Sequence, residues 1–174
     1  MKIQRAAALM LAALSTQAAV AGRSTESISQ MYSLFIVDIV QSAGNVCSAR
    51  FPSTASQWKK STEAWMTTNS AAIDELKTKA LGIQTQLVDE AFDPASKEPP
   101  ASRAAQASMF SAFGMLAVAG PYQTIGMLND SAAQEACTKH LNELAAGGAM
   151  DANLRSAIQD ADHLLQAAMK RRSP

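Results

Sequence analysis

This chain has little of what builds catalytic or cofactor sites. Its 174 residues include only two cysteines and two histidines, too few for a multi-cysteine metal cluster or a disulfide-dense mini-scaffold. No Cys-x-x-Cys-His occurs, which excludes covalent c-type haem, and no glycine-rich phosphate loop occurs either. None of the serines sits in Gly-x-Ser-x-Gly, the strained turn that exposes a hydrolase nucleophile. Aromatic residues make up 5% of the chain, and its 8 glycines and 6 prolines gather between long periodic stretches. A β-sandwich or barrel would need turn signals at short, regular intervals, so an all-α fold is expected. An excess of one charge is missing too: 15 basic side chains face 15 acidic ones. That balance gives no electrostatic reason to bind nucleic acid or anionic lipid.

What is present begins at the N-terminus. Met1-Lys2-Ile3-Gln4-Arg5 is a short basic start, Ala6–Thr16 is an apolar run of Ala, Leu and Met, and Ala19-Val20-Ala21 closes it with small residues. This is the three-part pattern of a secretory signal peptide. Its apolar core is too short to cross a hydrocarbon layer of about 30 Å as a permanent helix. Sec-type cleavage is expected near Ala21-Gly22, so residues 1–21 are a cleaved leader and 22–174 a single helical domain of 153 residues. That domain keeps 13 basic and 15 acidic side chains and is long enough to bury its own core. No cysteine follows the leader directly, which argues against a lipid anchor, and the expected destination is the periplasm or the exterior. In such an oxidising compartment Cys47 and Cys137 are expected to form one disulfide. Closing a loop of 90 sequence steps is worth about 4–5 kcal/mol in the chain-entropy model.

Helical periodicity organises the rest. Ile28, Met31, Tyr32, Phe35, Ile39, Ala43 and Val46 place a first helix over about Ser24–Ala49. Its middle, Tyr32–Val40, is apolar nearly all round, which marks a helix at the centre of a bundle; its β-branched run also fits a buried strand. A second helix is expected over Thr54–Phe92, capped by Thr54 with Gln57 and bent at Gly82, with Trp65, Asn69, Ile73, Leu76, Ala80, Ile83 and Leu87 on one stripe. An exposed, proline-rich connection, 93–101, follows. A third helix spans Ser102–Ala119 and stops at Gly120-Pro121. A fourth begins at Asn129-Asp130-Ser131, with Ser131 and Gln134 as capping box, and stops at Gly147-Gly148. A fifth is capped by Asp151 and carries Leu154, Ile158, Ala161, Leu165 and Ala168. Short connections favour antiparallel neighbours, so the fold predicted is an up-and-down bundle of four to five helices clamped by one disulfide. Met109–Leu128 is the longest low-charge stretch, but a buried helix and turn explains it better than a membrane span.

Few side chains point to chemistry. Cys137 and His140 lie three apart on a helix, and His163 could approach from the next one, so a zinc or copper site has weak candidates in His140 and His163. A disulfide at Cys137 would remove the thiolate, and the methionines are scattered as core gap-fillers rather than clustered as copper ligands. Neither cysteine lies in a context that exposes a nucleophile, and no carboxylate pair has a glycosidase spacing. Asp38 interrupts the most apolar helix and is expected on its one exposed strip. Trp58 and Trp65 are seven apart on one face, with Lys59 and Lys60 beside the first. They are either the largest core knobs or, with the two lysines, a candidate interaction surface. The reading favoured is an exported, non-catalytic helical binding protein without cofactor, of which an immunity or inhibitor protein acting on another exported protein is one form. A periplasmic metal-binding protein is the alternative.

Overall fold

The computed structural model describes residues 30–93 and 99–172. Among the described residues all regular structure is helical and no strand occurs. The elements are α1 (Ile36–Arg50), a 3-10 turn (Pro52–Thr54), α2 (Ala55–Thr68), α3 (Ser70–Phe92), α4 (Pro100–Gly126), α5 (Asp130–Ala146) and α6 (Gly148–Arg172). The leader, residues 1–21, lies outside the described residues.

The first apolar stretch is helical, not a strand, but it is broken. Residues 30–33 form a helical turn, Leu34 and Phe35 depart from helix geometry, and α1 starts at Ile36; the expected start at residues 24–29 is not among the described residues. As its composition predicts, α1 is central: it packs on α2, α4, α5 and α6. Asp38 is exposed, on the strip expected for it. Gly44 lets α1 approach α2 closely, because a Cβ there would sit 3.3 Å from Cε3 of the Trp58 ring. Gly114 of α4 plays the same part under Phe35, at 3.2 Å.

The long second helix exists as two rods, α2 and α3, joined at Asn69. Backbone hydrogen bonds from Asn69 N to Trp65 O (3.0 Å) and from Ile73 N to Asn69 O (2.9 Å) run through the joint. Gly82, where a bend was expected, lies inside α3. Trp58, Trp65, Ile73, Leu76, Ile83 and Leu87 are all buried along the two rods. Thr54 does not cap α2 as a capping box; its hydroxyl donates back to the Phe51 carbonyl at 2.8 Å.

The third helix is longer than its sequence predicts at both ends. Pro100 is its first residue, within the connection expected over 93–101, of which residues 94–98 are not described. It continues through Gly120-Pro121 to Gly126. Proline removes the N–H that would bond the Ala117 carbonyl, a penalty that ordinarily ends or kinks a helix. Here tertiary partners hold the chain helical. The Ser42 hydroxyl of α1 donates to the Val118 carbonyl. Beyond the proline, the Arg50 guanidinium donates to the carbonyls of Ile125 and Leu128 and pairs with Asp130 at 2.9 Å. A cation at the last carbonyls of a helix both satisfies orphan acceptors and meets the negative end of its dipole.

Asn129, not Ser131, caps α5, accepting from Ala132 N at 2.9 Å. Gly147 ends α5 with φ 77°, a backbone region that glycine enters without a Cβ clash. The next helix starts at once at Gly148, so Asp151 lies in the first turn of α6 rather than capping it. Cys47 and Cys137 are bonded, with Cα atoms 5.7 Å apart, joining the end of α1 to α5. Around this bridge all six α-helices share one continuous apolar core, to which α4 contributes Phe110 and Ile125. A smaller cluster of Met31, Met109 and Phe113 packs the start of the described chain onto α4.

Candidate functional site

The residues singled out by sequence are dispersed by the fold. Trp58 and Trp65 are 2% and 4% exposed and belong to the core, so they offer no indole to a partner, whereas Lys59 and Lys60 beside them are exposed. Cys137 is in the disulfide and carries no free thiolate. His140 lies 3.2 Å from the carboxylate of Glu143, one turn along α5, and His163 is exposed on α6. Among the described residues, no three His, Cys, Asp or Glu side chains are grouped to hold a metal ion.

The partly buried polar groups join helices to one another. Asp151 Oδ1 accepts from the Trp65 indole N–H at 3.0 Å and from the Asn69 amide at 3.1 Å, pinning the α2–α3 joint to α6. Lys79 of α3 pairs with Asp162 of α6 and, at 3.2 Å, with Glu75. The Asp162 hydrogen bond raises the Lys79 pKa above its ordinary value, and Glu75 adds to the rise. Arg103 of α4 is buried and donates to the carbonyls of Glu90 and Asp93, capping α3 as Arg50 caps α4. These contacts consume polar groups in holding the fold.

The surface feature that stands apart is the outward face of α3 and α4. On α3, Leu81, Val88 and Phe92 are 63%, 42% and 83% exposed; at spacings of seven and four they share one side of the helix. On α4, Met115, Val118 and Tyr122 are 68%, 50% and 47% exposed, and their spacings of three and four likewise set them on one side. A shallow groove of about 220 Å³ lies between the two helices, lined by Gln84, Leu87 and Val88 from α3 and by Ala107, Ser108, Phe110 and Ser111 from α4. Arg103, near the start of α4, bonds the carbonyls of Glu90 and Asp93 at the end of α3, so the two helices run antiparallel, with residues 84–88 of α3 beside 107–111 of α4. The two apolar stripes are offset along this pair: Val88 lines the groove, whereas Met115, Val118 and Tyr122 lie beyond it toward the end of α4.

Charge is missing from half of this face. Arg103 is the one charged residue of α4, and it is buried against the end of α3. The exposed positions Ala104, Ser108, Ser111, Met115, Val118 and Tyr122 are thus uncharged along the helix. On α3, the exposed Asp74 and Lys77 continue the same side of the helix beyond Leu81. Scattered exposed apolar residues are ordinary, but a contiguous patch rimmed by polar residues marks a contact surface. Among the described residues, no helix is long and apolar enough to cross a membrane.

The chain matches no protein-family model, no curated protein and no solved structure.

Sequence reading missed this face because its signal is the core's signal. Met115, Val118 and Tyr122 recur at the same three-and-four spacing as buried residues, and Met109–Leu128 was assigned to a buried helix and turn. The available clue was excess: α4 carries apolar residues on more sides than one buried stripe needs.

Proposed function

We propose that this protein is an exported, non-catalytic helical binding protein that acts on another protein through the outward face of α3 and α4. The observation that carries the reading is the pair of exposed apolar stripes, Leu81–Val88–Phe92 on α3 and Met115–Val118–Tyr122 on α4, with no exposed charge on α4. Aromatic and methionine side chains at the centre of such a patch are the kind that dominate protein contacts, because they bury much area for few fixed torsions. With α2 and α3 counted as one jointed rod, we read the helices as an up-and-down bundle of five, and such a bundle presents a two-helix face as a rigid platform. An immunity or inhibitor protein that occludes an enzyme in the same compartment is a role this platform suits. The signal-like start of the chain supports export to the periplasm or beyond.

The reading is tested by placing a photo-crosslinking residue at Met115 and, separately, at Lys60 on α2, and activating it in cells that make the protein. A discrete crosslinked protein from position 115 and none from position 60 is the expected result. A discrete partner from position 60 alone would move the contact to the lysine-bearing surface and overturn the assignment.

A further inference from the structure

We propose that the chain is a tandem duplication: two copies of one helical unit, packed against each other about an approximate twofold axis as the subunits of a dimer are. The proposal goes beyond the contact reading of α3 and α4 and does not depend on it.

The repeat is written in the residues and in the order of the helices. Met31-Tyr32-Ser33-Leu34-Phe35 recurs 78 residues later as Met109-Phe110-Ser111-Ala112-Phe113, with Met, Ser and Phe kept and Tyr exchanged for Phe. The helix break at Asn69 recurs at Gly147, again 78 residues on. Around these marks α1, α2 and α3 match α4, α5 and α6 in order. Core positions follow. Trp58 and Trp65 of α2 are buried as Cys137 and Leu144 of α5 are, seven apart in each case. The inward stripe Ile73, Leu76, Ala80, Ile83 and Leu87 of α3 has the spacing of Leu154, Ala157, Ala161, Leu164 and Ala168 in α6. The offset drifts only from 78 to 81 residues between the first and last of these matches.

The geometry shows the axis. Under twofold symmetry, a contact of residue i with residue j of the other copy is returned as a contact of j with i. Tyr32 meets Phe113 edge-on, with ring centroids 6.4 Å apart, and Phe35 meets Phe110 at 5.3 Å. Tyr32 and Phe110 are equivalent positions, and so are Phe35 and Phe113. The two aromatic pairs are therefore one contact made twice. Equivalent helices also lie side by side and run the same way, as an axis along the bundle requires. Ser42 and Arg50 of α1 bond the carbonyls of Val118 and Ile125 in the same order along α4. Asn69 and Lys79 likewise reach Asp151 and Asp162, in order along α6.

Divergence between the units accounts for the exposed stripe on α4. Met115, Val118 and Tyr122 occupy the positions of Val37, Val40 and Gly44, all buried in α1. Gly44 lies under the Trp58 ring. At the position of Trp58 the second unit carries Cys137, which is bonded to Cys47 on α1. The apolar face of α4 is thus a stripe that the first unit buries and the second leaves exposed, present once per chain.

An experimental structure of the full chain tests the proposal. One rotation of about 180° is expected to carry α1 onto α4, α2 onto α5 and α3 onto α6. A circular permutant gives a second test: Pro174 is joined to Gly22 through a copy of Asp93–Pro99, and the chain is reopened between Ala95 and Ser96. The axis makes the new junction equivalent to the one between α3 and α4. The permutant is therefore expected to show wild-type helical circular dichroism, close Cys47–Cys137, and unfold at a urea concentration near that of the wild type. A rotation far from 180°, or one that carries α1 onto α4 but leaves α2 and α3 off their mates, overturns the proposal. So does a permutant that loses its helix or cannot close the disulfide; where the permutant yields no protein, the rotation decides alone. A failure here leaves the contact reading of the α4 face standing, since crosslinking at Met115 tests that reading separately.

Discussion

The indole N–H of Trp65 donates to the carboxylate of Asp151 across 3.0 Å, and through that bond the joint between α2 and α3 is fixed to the first turn of α6. The same oxygen accepts from Asn69, whose amide also bonds the Trp65 carbonyl at 3.0 Å. One carboxylate thus serves both sides of a helix break. Asp151→Ala leaves the Trp65 N–H buried without an acceptor, and a loss of about 1–3 kcal/mol is expected from that alone. Asp151→Asn keeps an acceptor oxygen and is expected to cost less. Urea unfolding of the two variants measures the difference; equal stability of Asp151→Ala and wild type would remove the bond from the account.

Much of this arrangement was legible in the residues, and what was not has physical reasons. Of the predicted stripe, Trp65, Ile73, Leu76, Ile83 and Leu87 are buried and Asn69 and Ala80 half-buried, because periodicity reports burial directly. The disulfide followed from two cysteines in a chain read as exported. Caps were read less well. Thr54 and Ser131 have the right residue type, yet Thr54 turns back to Phe51 and Asn129 takes the cap of α5, since several residues near a helix start compete for the same N–H groups. Gly120-Pro121 failed as a stop because Ser42 and Arg50, some 75 residues away, hold the chain before and beyond it, and no local signal carries so distant a contact. The α3–α4 face was hidden for a different reason: periodicity shows that a side chain is apolar and where it points, not whether another helix covers it.

Arg50 is expected to stabilise the end of α4 rather than to serve a ligand. Arg50→Met retains the aliphatic stem and removes the donors to Ile125 and Leu128, so about 1–3 kcal/mol should be lost. Amide exchange should speed up around residues 122–130 before it changes elsewhere. Uniform acceleration over all helices would show that the arginine holds no local element.

Reduction of Cys47–Cys137 is expected to lower stability without abolishing the fold. The 90-residue separation predicts a loss of about 4–5 kcal/mol through the unfolded chain, and the apolar core around the bridge remains. Reduced protein should keep its helical circular dichroism at low temperature and unfold at lower urea concentration. Complete loss of helix on reduction would show that the core alone does not support the bundle.

High pH should weaken the bundle. Lys79 has a raised pKa, chiefly from its hydrogen bond to Asp162, and burial raises that of Tyr32. A raised folded-state pKa means stability that is present in full below the unfolded value and is lost as pH climbs through the folded value. The ordinary values are 10.5 and 10.0, so the decline should begin near pH 10 and continue above it. Lys79→Met should flatten part of that decline. An unchanged pH profile in Lys79→Met would contradict the role given to the α3–α6 ion pair.

The central claim is that the protein works through the face of α3 and α4, and co-purification from its native compartment tests it most directly. Wild type, M115D/V118D and K60D would be isolated side by side after mild crosslinking, with thermal melts taken on each. The expected result is that M115D/V118D melts like wild type yet loses its bound protein, whether a second copy or a different chain, while K60D retains it. A folded M115D/V118D that keeps the same bound protein at the same stoichiometry would contradict the account.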